Sequence, residues 1–140
     1  MNIYTSYFGN ARKLAEAGIL QIGVALWKPR FFKGPCLYNV TPTKYMLSDD
    51  CSMEEYLKLY DEILNKQDAN KVIEQIKNLS GGKDVALCCY EKPGDFCHRH
   101  ILAKWLTENT GIVVEEFNGQ KTEEKKEEPK KPKFIQMSLF

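Results

Sequence analysis

The run Asp84 to Tyr90, DVALCCY, is the feature that most constrains the fold. It follows the pair Gly81, Gly82 and precedes Pro93, Gly94, and its interior carries no strongly polar side chain to turn toward water. A strand with one wet face alternates apolar and polar residues, whereas a strand covered on both faces reads as an unbroken apolar run. DVALCCY is therefore expected at the centre of a parallel sheet. Parallel neighbours need long crossover connections, usually helices.

The rest of the chain supplies that alternation. MNIYTSYFG starts as a short strand, with β-branched Ile3 and Thr5 and aromatic Tyr4, and stops at Gly9, Asn10. A short helix is expected over residues 10 to 17, and ILQIGVALW after Gly18 reads as a second strand ended by Pro29. These first two strands are expected side by side. Residues 28 to 50 are irregular but rich in rings (Phe31, Phe32, Tyr38, Tyr45), as in a packed or functional loop rather than a linker. Ser52 with Glu55 forms a capping box ahead of Tyr56, Leu57, Tyr60, Ile63 and Leu64 at helical spacing. Val72, Ile73, Ile76 and Leu79 predict another helix, closed at Gly81. A helix from Cys97 to Asn109, with Ile101, Leu102, Trp105 and Leu106 turned inward, leads through Gly111 to a last strand, IVVEEF. The expected fold is α/β, a Rossmann-like three-layer arrangement with a mainly parallel sheet, spanning residues 1–119.

Composition changes after Gly119. Residues 120–133 contain six Lys, four Glu and two Pro but nothing apolar, so they cannot bury surface to offset ordering entropy and are expected as a disordered linker. Residues 134–140, FIQMSLF, then turn apolar again. Outside the linker stand 14 basic and 15 acidic residues, so composition does not suggest a protein held on nucleic acid mainly by counterion release. No apolar run approaches the ~18 residues needed to span a bilayer, and no signal-like start is present, so a cytoplasmic protein without a membrane partner is expected. Five cysteines, an odd number, fit a reducing compartment, and disulfides are not expected.

Both histidines and three of the cysteines fall in CCYEKPGDFCHRH, Cys88 to His100. In parallel α/β sheets ligands bind beyond the carboxyl ends of the strands, which puts Glu91, Cys97, His98 and Arg99 at the functional edge. A helix N-terminus lowers a thiol pKa and attracts anions, so Cys97 is a candidate nucleophile. His98 would be its base or donor, Glu91 an acid, base or orienting group, and Arg99 a clamp for phosphate or carboxylate. The competing reading is structural, with Cys97 packed and Glu91 paired to an arginine. Cys88 and Cys89 are both expected in the core, and His100 at the surface. Neighbouring strand cysteines point to opposite faces and the cluster lacks zinc-site spacing, so no metal is expected; no cofactor is indicated. Thr5 and Ser6 at the end of the first strand are candidate ligand contacts. Lys28 and Arg30, ending the second, read equally as solvated charges or anion contacts.

The segments IYTSYFG, KPRFF, SMEEYLKLY and above all LCCYEKPGDFCHRHILAKWL resemble the family catalogued as domain of unknown function 488, over most of residues 1–117. The resemblance implies a Rossmann-like α/β fold and a site at Glu91, Cys97, His98 and Arg99, without specifying a reaction. QMSLF at the C-terminus is similar to the pentapeptide by which bacterial polymerases and repair proteins bind the sliding clamp. That similarity implies polar contacts from Gln136, an apolar pocket filled by Leu139 and Phe140, and Met137 between them; the alternative is a tail folded back on the domain. The combined expectation is a replication- or repair-associated protein that binds a nucleotide, DNA or another phosphate-bearing ligand and is tethered to the clamp. The alternative is a noncatalytic nucleotide-sensing or adaptor module with no clamp partner.

Overall fold

A computed structural model describes residues 1–90 and 97–118. Four strands, β1 (Ile3–Tyr7), β2 (Leu20–Gly23), β3 (Val85–Cys89) and β4 (Val114–Glu116), form one sheet in the order β2-β3-β1-β4, with every pairing parallel. All five residues of β3 are buried, so both of its faces are covered, as its unbroken apolar sequence requires. The expected adjacency of the first two strands is corrected, because β3 lies between β1 and β2. β3 is the most apolar strand, and inserting it at the centre gives it covered faces and a ladder on both edges.

The helices are α1 (Ala11–Glu16), α2 (Met53–Asn65), α3 (Ala69–Ser80) and α4 (His98–Thr110). The Ser52 hydroxyl accepts from the Glu55 N–H at 3.0 Å and so starts α2, which buries Tyr56, Tyr60 and Leu64 along one stripe. In α3, Val72, Ile73 and Ile76 point into the core, whereas Leu79, part of the same spacing, is exposed. α4 packs on β1, β3, β4, α2 and α3, with Leu102 and Leu106 fully buried. Each such leucine contributes about 1.5–3 kcal/mol of transfer free energy. The helix stops at Gly111, whose φ of 79° is a left-handed conformation that a residue with a Cβ resists. That stop returns the chain to β4 beside β1, with Thr5 opposite Glu116.

Residues 24–47 form a strap rather than a continuation of β2. The strap returns to the strand end through the Gly23 N–H to Pro35 C=O bond at 2.8 Å and the Leu37 N–H to Gly23 C=O bond at 2.9 Å. Gly34 permits the close approach, since a Cβ there would lie 2.8 Å from the Gln21 carbonyl oxygen and 2.7 Å from the Phe32 ring. Phe32 is buried and its ring centroid sits 4.9 Å from that of Phe8. Among the described residues no helix is long and apolar enough to cross a membrane. The linker and terminal peptide expected over 120–140 lie outside the described residues.

Candidate active site at a buried thiol pair

Parallel strands bring Tyr7, Gly23 and Cys89 to one edge of the sheet, where α4 begins. Cys97 is the N-cap residue of α4, and its Sγ is bonded to Sγ of Cys89, the last residue of β3. This overturns the expectation that no disulfide forms. The odd count argued against a fully paired framework, but it could not exclude one local pair eight residues apart in sequence. Cys36, Cys51 and Cys88 remain as thiols. Cys88 turns to the opposite face, and burial pushes its thiol up to about 12, so it stays protonated in the core.

Arg99 is wholly buried one helical residue beyond His98. Its Nε donates to Glu116 Oε1 at 3.0 Å and its Nη2 to Oε2 at 2.9 Å, a two-pronged pair whose planar geometry suits a carboxylate. Its Nη1 donates to Cys89 Sγ at 3.2 Å. The Thr5 hydroxyl donates to Glu116 Oε1 at 2.7 Å, as the β1–β4 register allows. The guanidinium is thus committed to protein partners, its charge paired with Glu116 and one N–H directed at the sulfur of Cys89.

His98 lies on the other side of the pair, 5 % exposed. Its Nε2 is 2.6 Å from the Val24 carbonyl oxygen, an acceptor, so Nε2 carries the proton and Nδ1 presents a lone pair. Nδ1 is 3.9 Å from Cys97 Sγ. The Tyr60 ring meets the imidazole edge to face at 5.3 Å, and the Tyr60 hydroxyl donates to the Val40 carbonyl at 2.7 Å. Burial, aided by the Arg99 and His100 charges, lowers the His98 pKa to about 4 against the opposing Val24 bond. A ring that protonates only near pH 4 is neutral at pH 7.

The structure therefore gathers Cys97, His98, Arg99 and Thr5 into one cluster, with Cys89 and Glu116 added. Ser6 is buried and its Oγ accepts from Asn10 Nδ2 at 3.2 Å, apart from the cluster. Lys28 and Arg30 are exposed on the strap, with Lys28 Nζ 6.0 Å from the centre of the Phe32 ring. His100, expected at the surface, is half-buried, and its pKa is lowered chiefly by that burial. Glu91 and the residues Gln136, Met137, Leu139 and Phe140 lie outside the described residues. The donor atoms of Cys89, Cys97 and His98 lie within 4.8 Å of one another, a set able to hold an ion only after the sulfurs separate. A polar cleft of about 520 Å³ between Asn39, Gln67, Lys71 and Gln75 opens at the α2–α3 junction and has no part in this cluster.

Sequence reasoning missed Glu116 and the pairing role of Cys89. In IVVEEF either glutamate could have faced Arg99, and in CCY either cysteine could have faced Cys97; only strand register chooses. In protein purified without reductant and then denatured, three thiols should titrate, rising to five after reduction. Five before reduction would show the pair open.

The fold and the cluster define a parallel α/β protein with a bonded sulfur pair, Cys89 and Cys97, at its strand ends. The family model described as DUF488-N3a, the active DUF488-N3 subclade, matches residues 6–110, about three quarters of the chain, and the chain belongs to that family. No curated protein and no solved structure matches it.

Proposed function

We propose that the protein is a thiol-dependent enzyme acting on a nucleotide or nucleic-acid component in DNA replication or repair. The observation that carries this reading is the meeting of Cys97 and Cys89 at the strand ends, with the Arg99 guanidinium 3.2 Å from one sulfur and His98 3.9 Å from the other. A dithiol reductant opens the pair, becoming a disulfide itself while Cys89 and Cys97 each take up one proton. Cys97 is the nucleophile, His98 orients it, and Glu91 supplies the acid or base. The description of the subclade as active supports an enzyme.

The burial of Cys97, His98 and Arg99 favours one second reading, a noncatalytic nucleotide-sensing or adaptor module in which nothing is turned over. Recruitment to the sliding clamp by Gln136, Met137, Leu139 and Phe140 belongs to the first reading. The QMSLF pattern after a charged stretch without apolar residues supports it, because joining a binding peptide to a domain raises effective concentration near the ring. The test is a screen of nucleotides and short DNAs against the reduced protein and Cys97→Ser, scored for binding and turnover, with clamp binding compared before and after deletion of residues 136–140. Turnover lost in Cys97→Ser is expected. Ligand binding with no turnover leaves the adaptor, absence of any nucleic-acid ligand ends the reading, and clamp binding unchanged by the deletion removes the tether.

A further inference from the structure

The strap that closes over the end of β2 carries a concentration of rings and cations that the thiol site does not use. Trp27 is 54 % exposed, Phe31 61 % and Tyr38 59 %, and Tyr90 at the end of β3 is 48 % exposed. Isolated exposed rings are common on protein surfaces, but several within one short anchored segment are not. Residues 24–47 contain four cations, Lys28, Arg30, Lys33 and Lys44, and no acidic residue. The remainder of residues 1–119 has 10 basic and 15 acidic residues, so the positive charge of an otherwise acidic body is gathered here.

The strap is also held in place. Buried Phe32 packs at a tilt against Phe8, Phe8 meets Tyr90 edge to face at 5.3 Å, and Lys28 reaches over the Phe32 ring. The chain of contacts runs from strap to strand end, and Val24 at the strap's start is the residue whose carbonyl fixes His98. Rings with open faces stack on unpaired bases of any sequence, and interleaved Lys and Arg follow the phosphates. A duplex hides its base faces, so the combination selects single strands.

We infer that the strap, through Trp27, Phe31 and Tyr38 with Lys28, Arg30 and Lys33, binds single-stranded DNA and leads it toward the strand-end site. The inference rests on the nucleic-acid reading for its ligand and is independent of the thiol chemistry. It names the substrate class as polymer rather than free nucleotide.

The experiment measures binding of the full reduced chain to a fluorescein-labelled oligothymidylate of about fifteen nucleotides, a length near the upper range for one small binding domain. The double substitution Trp27→Ala, Phe31→Ala is expected to weaken binding about tenfold or more, since base stacking on each ring carries a substantial share of such affinity. Lys28→Gln with Arg30→Gln is expected to reduce the salt dependence by about 1.4 in log–log slope, at about 0.7 per phosphate contact on single strands. These side chains are exposed, so unchanged circular dichroism and melting should accompany both. Binding by the wild type without turnover would end the enzyme reading and leave this one intact. The inference is overturned if the wild type fails to bind at low salt, if both double variants bind unchanged, or if duplex DNA or RNA of equal length binds more tightly. It is equally overturned if the protein is a dimer that the aromatic substitutions dissociate, which would make the face a contact between copies of the chain.

Discussion

Glu116→Ala should lower the unfolding free energy by about 3 kcal/mol, the lower end of the range for breaking one side of a buried ion pair. The lower end applies because the Glu116 side chain is 22 % exposed while that of Arg99 is 0 % exposed. The substitution removes both carboxylate oxygens from a fully buried guanidinium, and it takes away the acceptor of the Thr5 hydroxyl. Replacing Arg99 and Glu116 together by Met and Leu should cost less than the single change, because no buried charge is then left behind. Urea unfolding at neutral pH measures both. A loss below about 1 kcal/mol in Glu116→Ala would mean that the pair contributes no more than an exposed salt bridge.

Acidification should destabilise the protein through His98. In the unfolded chain the imidazole titrates near 6.5, whereas burial lowers it to about 4 in the fold. Between those values the unfolded chain takes up a proton that the folded one refuses. The stability associated with neutral His98 is therefore fully present above about pH 6.5 and is lost as pH falls toward 4, by up to about 3 kcal/mol. His100, also lowered by burial, adds in the same direction. His98→Gln should remove most of this slope, although it also disturbs the contact with Val24. Urea midpoints for wild type and variant at pH 7 and pH 4.5 compare the slopes directly; equal slopes would show that His98 is not the group responsible.

These two expectations rest on residues that differ in how far the sequence exposes them. Cys97, His98 and Arg99 are legible because an apolar run, a Pro-Gly pair and a helical pattern occur in that order in the sequence, and strand ends face helix N-termini in a parallel sheet. The Ser52 cap and the Gly111 stop are legible because they depend on neighbours three or four residues away. Arg99 was expected to meet a ligand, and the partner the sequence did not show is Glu116, a residue 17 positions later on another strand. Thr5 was expected to hydrogen bond a ligand, and its hydroxyl is given to the same carboxylate across 111 positions.

Local sequence, then, determined the elements, the parallel character of the sheet and the edge where the chemistry-bearing residues gather. Apolar periodicity and capping act over a few residues, and one chain is enough to read them. The tertiary structure alone decided that β3 separates β1 from β2, that Cys89 rather than Cys88 meets Cys97, and that Glu116 rather than Glu115 neutralises Arg99. Each is a choice between the two faces of a strand or the two sides of a neighbour. A one-residue shift of register reverses the first kind, and only packing of the whole sheet against α4 fixes it.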